Sequence, residues 1–309
     1  MKYLLTLIIV MVLGTVSLIA QAKKGTYKMN SETSKSKSAS KLYERGSTIK
    51  DVSLLTQLSN TNSKFYIAPY EHGYVYSEEK KKSNSQAADY SFYFVGVSGN
   101  RFDKPKTFAL NAPTGLKPVA VSFSNDRLTM FATCLKPGSK TSYTIYQANK
   151  QNNVWSGWQE LEIAKPFESA GFAVVNTAGN KMYLCAKSKI YKTGYDIYTS
   201  EYNDGWQKAI LVQGDINSDG DDMFPTLFND VLFYSSGAKG GEGGKDIIFV
   251  NLKDNNRECF NAGNKINTNA GEQMMILNED NKSGLLIRNA PIATKAEVFR
   301  IVADDLFIK

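Results

Sequence analysis

Short apolar segments return along this chain about every fifty residues, and that recurrence restricts the fold more than any other feature. One segment recurs as Tyr74-Val75-Tyr76, Thr129-Met130-Phe131, Met182-Tyr183-Leu184, Leu232-Phe233-Tyr234 and Leu285-Leu286-Ile287. A second follows each as Phe92-Tyr93, Ile145-Tyr146, Ile197-Tyr198, Ile247-Ile248 and Val298-Phe299, with first residues spaced by 53, 52, 50 and 51 positions. A third is Phe108-Ala109-Leu110, Trp158 to Leu161, Trp206 to Ile210 and Cys259-Phe260. A further one opens the unit, as in Tyr66-Ile67-Ala68-Pro69 and Phe224-Pro225-Thr226-Leu227. These β-branched and aromatic runs, bounded by Gly, Asn, Asp, Pro and Ser, have the composition of strands and turns.

A single four-stranded sheet cannot bury both faces, whereas five packed radially around an axis can. The pattern therefore predicts an all-β chain, a five-bladed β-propeller over residues 49–309. The last unit lacks a fourth strand after Ile301. The spare segment Asp51 to Leu55, ahead of the first unit, fits that gap and closes the ring without an open edge. Six blades are the alternative, should residues 23–48 add a strand set. With 42% hydrophobic and 22% charged residues, the chain has enough apolar material for such cores, which excludes wholesale disorder.

The amino terminus reads differently. Lys2 precedes an almost uninterrupted apolar run, Tyr3 to Ala20, which ends in the small-x-small pattern Ala20-Gln21-Ala22. Residues 1–22 are expected to be a cleaved secretory signal peptide, leaving no membrane-spanning segment afterwards. Residues 23–48, with Ser31-Glu32-Thr33-Ser34-Lys35-Ser36-Lys37-Ser38, read as a flexible tail. The expected location is the periplasm or the outer membrane. Three cysteines, Cys134, Cys185 and Cys259, are an odd number, and free thiols packing as small hydrophobes are expected.

The most specific text is Gly194-Tyr195-Asp196-Ile197-Tyr198-Thr199-Ser200-Glu201, Gly205-Trp206, Ile216-Asn217-Ser218, Asp222-Met223-Phe224-Pro225 and Gly243-Gly244-Lys245-Asp246-Ile247. It resembles the WD-40-like propeller repeat of the TolB type, common in envelope proteins of Bacteroidota. The resemblance implies an envelope interaction scaffold, with some members tied to type IX secretion and gliding complexes. It assigns structural roles to Asp196, Tyr198, Trp206, Phe224, Pro225 and Asp246. Family members often continue into an OmpA-like domain, and that pattern is not found here.

Other motifs are weaker. Asp215, Asn217 and Asp219 match the first half of a calcium loop, but the twelfth position, which needs Glu, is Thr226. The glycine-rich stretch Gly237 to Lys245 fails as a phosphate cradle, because Lys239 holds the first glycine position and Asp246 follows Lys245. Five-bladed propellers include glycoside hydrolases with paired carboxylates in the channel. Glu71, Asp126, Glu168 and Asp222 are candidate acids, and Tyr70, Tyr143 and Tyr191 candidate sugar platforms, none in a distinctive motif. His72, the single histidine, sits between two strands and reads as an exposed turn residue.

The loops joining the second and third strand of each unit share one rim of the predicted ring. They carry Lys80, Lys81, Lys82, Lys136, Lys140, Lys187, Lys189, Lys192, Lys239, Lys245 and Lys295. A basic face there would meet an envelope protein with an acidic surface or an anionic envelope glycolipid. Nucleic acid is disfavoured by six Arg against 31 Lys. The expectation is a non-enzymatic, exported scaffold without a cofactor; a carbohydrate-binding or glycoside-cleaving propeller is the alternative.

Overall fold

Each repeat folds into one antiparallel sheet, and five such sheets form the ring of a β-propeller. The structure, a computed structural model, describes residues 49–59, 65–80, 89–99, 101–190, 194–239, 241, 243–289 and 296–303. The chain divides into two compact units, Met1–Lys37 and Ser38–Lys309, and all described residues belong to the second. The expected signal peptide and tail, residues 1–48, lie outside the described residues, as do Lys81, Lys82, Tyr191, Lys192 and Lys295. No helix among the described residues is long and apolar enough to cross a membrane.

The first described strand, β1 (Ile49–Leu54), is followed by a single helical turn, α1 (Thr56–Ser59). Blade 1 holds β2 (Phe65–Tyr70), β3 (Gly73–Lys80), β4 (Asp89–Ser98) and the short β5 (Arg101–Phe102) and β6 (Lys106–Thr107). Blade 2 holds β7 (Pro118–Phe123), β8 (Thr129–Leu135), β9 (Tyr143–Gln151) and β10 (Val154–Glu160). Blade 3 holds β11 (Ser169–Val175), β12 (Lys181–Lys187), β13 (Asp196–Glu201) and β14 (Ile210–Leu211). Blade 4 holds β15 (Asp222–Phe228), β16 (Val231–Ser236), β17 (Asp246–Asn251) and β18 (Cys259–Asn261). Blade 5 holds β19 (Gly271–Leu277), β20 (Ser283–Asn289) and β21 (Ala296–Ala303).

The expected closure is present. β1 pairs antiparallel with β21, placing Val52 opposite Ile301 and Leu54 opposite Phe299. Ile49 is buried in the core between blades 4 and 5, and the Lys265 Nζ donates to Ile49 O at 2.6 Å. Leu58 of α1 is buried between blades 5 and 1, while the Ser59 hydroxyl accepts from Val298 N at 3.0 Å. The outermost strands depart most from expectation. Pro105, which lacks an N–H, separates β5 from β6, and Trp206 makes only an isolated bridge to Tyr202 ahead of β14.

Five hydrophobic clusters supply the cores; four lie mainly between two neighbouring blades, and the fifth joins blades 3 and 4 and reaches Tyr66 of blade 1 and Val119, Ala120 and Leu135 of blade 2. Phe233, Phe249 and Phe260 meet Met275 and Leu286 at one junction, and Ile145 and Phe131 meet Met182 and Tyr198 at another. The junctions are also stitched at one repeat position of the second strand. The Ser77 hydroxyl donates to Val119 O at 2.7 Å, Phe172 N to the Thr133 hydroxyl at 2.7 Å, and the Ser235 hydroxyl to Glu272 O at 2.7 Å. The Cys185 thiol accepts from Phe224 N. Each stitch reaches the next blade's inner strand at or beside a register shift, at Val119, Phe172, Phe224 and Gln273. The fifth position is Ile287, fully buried, and the strand it faces, β2, runs without a bulge. A buried bond of this kind contributes about 1 kcal/mol net and fixes where the bulge falls. All three cysteines are free thiols, with Cys134 and Cys185 buried, as expected.

Candidate functional site

The bulges decide what happens on the axis. Phe172 and Phe224 take left-handed backbone angles (φ 52° and 55°), rare for bulky residues, and so turn their rings toward the ring centre. There they meet Tyr66, with centroid separations of 4.9 Å for Tyr66–Phe172, 5.8 Å for Tyr66–Phe224 and 4.8 Å for Phe172–Phe224. This triangle of rings divides the axis into two hollows.

The wider hollow, ≈ 670 Å³, opens among the turns that join the first and second strands. Glu71, Glu279 and Asp280 give it an acidic lining, with Arg127 beside them. The narrower hollow, ≈ 280 Å³, opens on the lysine-bearing rim and is lined by Tyr66, Tyr143, Phe224, Lys245, Gln273 and Asn289 among others. The Lys245 ammonium lies 6.0 Å from the Phe224 ring centre and 3.4 Å from an Asp221 carboxylate oxygen, so its charge is largely compensated. Burial, and then the nearby Tyr143, Tyr90, Cys185 and Glu79, raise the Tyr66 phenol well above its ordinary value. The Tyr143 phenol is raised by burial first and by Cys185 and Glu79 after it.

The four candidate acids have separate occupations. Glu71 pairs with Lys150 at 3.4 Å. Asp126 closes its own turn through Ser124 Oγ at 2.5 Å and Leu128 N at 3.0 Å, bonds that hold it below the usual carboxylate range. Glu168 pairs with Lys187 at 3.2 Å. Asp222 is fully buried, which raises its carboxyl, and accepts from Ser218 N at 2.6 Å and Ser218 Oγ at 2.8 Å. Of the aromatic candidates, Tyr70 is buried between blades 1 and 2, and Tyr143 borders the narrower hollow. His72 is exposed, edge-on to Phe94 at 5.3 Å.

The calcium-like stretch has another use. Asn217 accepts from Ile197 N at 2.6 Å and donates to Ile197 O at 3.1 Å, which commits its amide oxygen to the backbone of β13. Among the described residues, no cluster of three or more His, Cys, Asp or Glu side chains could hold a metal ion. Asn267, fifty positions on, clasps Ile247 in the same way at 2.8 and 3.0 Å. The pair Asp222–Ser218 likewise recurs as Glu272–Thr268, with Thr268 Oγ1 donating to Glu272 at 2.8 Å.

The repeat-motif residues serve the sheets. Asp196 and Asp246 are buried at the starts of β13 and β17, and Asp246 accepts from Gly241 N at 2.7 Å and Asn261 Nδ2 at 3.3 Å. Tyr198 packs edge-on to Phe167 at 4.7 Å, and Trp206 edge-on to Phe131 at 5.9 Å. Pro225 follows the strained Phe224 in β15.

The described rim lysines fall into two groups. Lys136 Nζ donates to Phe167 O and Glu168 O at 2.9 Å each, Lys187 pairs with Glu168, Lys189 donates to Lys165 O at 3.2 Å, and Lys245 pairs with Asp221. Burial, then the neighbouring Lys189 charge, lowers the Lys136 pKa, while Glu160 and Glu168 act the other way. The ammonium groups of Lys80, Lys140 and Lys239 make no bond among the described residues.

Sequence reading did not single out Tyr66, Phe172, Gln273 or Asn289. The available signal was positional, since Phe172 and Phe224 stand at one repeat position, the bulge of the inner strand, and Tyr66 stands one position earlier in the inner strand of blade 1.

No protein-family model and no curated protein sequence matches the chain. Solved structures do. A thermostable family-43 glycoside hydrolase superposes with a TM-score of 0.50 at 12% identity, over 80% of this chain and 96% of that one. TolB from Acinetobacter baumannii gives 0.44 at 14% identity, over 77% of this chain and 54% of that one, so this chain matches about half of its length. A TolB from Agrobacterium tumefaciens gives 0.48 at 12% identity, over 75% and 73%. At such identities the likeness speaks for the fold alone.

Proposed function

We propose that the protein is an exported, non-enzymatic scaffold of a Gram-negative envelope, a TolB-type propeller of the Bacteroidota kind. Its rigid ring presents loops to a partner in the periplasm or at the outer membrane. The observation that carries this reading is how the candidate acids are employed. Glu71, Glu168 and Asp126 bind Lys150, Lys187 and a local turn, and Asp222 is sealed in a blade junction. Glycoside cleavage needs two carboxyl groups facing one space, about 5–10 Å apart. The interaction surface is the lysine rim, and Lys80, Lys140 and Lys239 are its uncommitted charges. Their partner is an acidic envelope protein or an anionic glycolipid.

The test is capture from detergent extracts of the envelope at rising salt, with the Lys80→Glu, Lys140→Glu, Lys239→Glu triple variant alongside. Capture should weaken with salt, whose screening length is about 10 Å at 0.1 M, and in the variant. Capture indifferent to both removes the basic rim from the account. A second reading, glycoside cleavage, draws on the acidic lining of the wider hollow by Glu71, Glu279 and Asp280. Release of p-nitrophenol from aryl glycosides, abolished by Glu71→Gln or Glu279→Gln, would replace the scaffold with an enzyme.

A further inference from the structure

The fold takes care of its buried tyrosines almost everywhere. Tyr234 Oη donates to Ile216 O at 2.9 Å, Tyr195 Oη to Ser169 Oγ at 2.8 Å, Tyr74 Oη to Asn278, and Tyr70 Oη accepts from Lys150 at 2.8 Å. Three others break the rule in one place. Tyr66, Tyr90 and Tyr143 have no hydroxyl partner among the described residues, although Tyr66 is only 7% exposed. Their rings cluster, Tyr66 lying 6.5 Å from Tyr90, and Tyr143 standing edge-on to Phe172 at 5.4 Å. Tyr66 and Tyr143 both border the narrower hollow on the lysine rim. None of the three hydroxyls is among the sealed, unpartnered polar atoms of the fold, so each keeps access to solvent and can bond a ligand or water there.

The surroundings define what would meet it. The floor of the hollow is aromatic, the wall adds the amides of Gln273 and Asn289, and Lys245 is neutralised by Asp221. Such a site offers little to a free anion or cation. It complements a molecule with an apolar face and hydroxyls around its edge. Its ≈ 280 Å³ lies at the lower end of small-ligand sites, which suits one ring and not a chain. We propose that the axial hollow on the lysine rim binds a single uncharged pyranose, stacked on the Phe224–Tyr66 floor and hydrogen-bonded by the Tyr66 and Tyr143 hydroxyls. The site is distinct from the uncommitted lysines and stands whether or not the rim binds a partner.

The experiment is titration of the full chain, followed by calorimetry and tyrosine-detected NMR. The probes are the methyl pyranosides of glucose, galactose and N-acetylglucosamine, with methyl glucuronide and p-nitrophenol as the anionic and planar-aromatic arms. At least one neutral pyranoside should bind. Tyr66→Phe and Tyr143→Phe, which keep the rings, should each weaken it by about fivefold, the effect of one lost hydrogen bond. The triple rim variant should bind it unchanged. Should Tyr66→Phe not fold, Tyr143→Phe at the edge of the hollow carries the test. Binding by none of the neutral pyranosides, binding only of glucuronide or p-nitrophenol, or affinity unmoved by the Tyr→Phe variants overturns the proposal. Loss of sugar binding in the rim variant overturns it as well, because the sugar would then sit elsewhere.

Discussion

Replacing Asn267 by Ala tests the clasp between the connector after blade 4 and the first residues of β17. Asn267 is fully buried, accepts from Ile247 N at 2.8 Å, and donates to Ile247 O at 3.0 Å and Asn261 Oδ1 at 2.8 Å. After the substitution, Ile247 O keeps Ala262 N at 3.0 Å and Asn261 Oδ1 keeps Gly263 N at 2.8 Å. Ile247 N alone is orphaned. A buried donor without a partner costs about 1–3 kcal/mol, and two further lost bonds add about 1 kcal/mol each, for a total of about 3–5 kcal/mol. Asn217→Ala removes the equivalent bonds to Ile197 at a half-buried position that water can reach, and should cost about 1–2 kcal/mol. Urea unfolding followed by tryptophan fluorescence measures both, with an unchanged slope showing that only stability moved. An Asn267→Ala cost below about 1 kcal/mol, or no larger than that of Asn217→Ala, would refute the reasoning.

Two other perturbations follow from buried charge and from the latch. Burial raises the Glu272 carboxyl above its ordinary 4.5, while Thr268 and Arg288 pull it down. The folded protein then holds that proton more tightly than the unfolded chain, so this group favours folding most below pH 4.5, and its contribution falls as pH climbs through the raised folded value. Glu272→Gln should flatten that segment of the stability profile above pH 4.5, and Arg288→Met should carry the fall to higher pH, with about 3–5 kcal/mol lost near neutrality. Urea midpoints across that range check it, and a wild-type profile that steepens upward relative to Glu272→Gln contradicts it. Removing residues 1–54 should expose the β21 edge and give oligomers on size-exclusion chromatography, and Ile49→Ala in the intact chain should cost about 2–4 kcal/mol. A monomeric truncation with an unchanged unfolding midpoint would show that β1 does not close the ring.

The blades were legible because each strand carries its own aromatic or β-branched run, and the run returns at a nearly constant interval. The spare segment before Tyr66 could be matched to the missing fourth strand for the same reason. The axis was not legible. Alternation along β11 and β15 gives no hint that Phe172 and Phe224 turn to left-handed angles, because the bulges depend on Thr133 and Cys185 in the preceding blades. Lysines could be counted onto a rim, but not sorted into those that bind carbonyls, such as Lys136, and those left to solvent, such as Lys140. The calcium-like stretch shares its residues with a repeated structural element. Ile216-Asn217-Ser218 and Ile266-Asn267-Thr268 are the same structural phrase fifty residues apart, and only the first happens to have aspartates around it.

The pairing of Ile49 with Ala303 gives the ring a seam, and the seam orders events in time. Blades 1 to 4 draw their strands from neighbouring stretches and can assemble as those stretches become available, whereas the fifth joins the two most distant parts of the described chain. Such long-range closure is the slow kind. The first described strand is therefore the last to find its place, and anything that holds it away from β21 also holds the circle open.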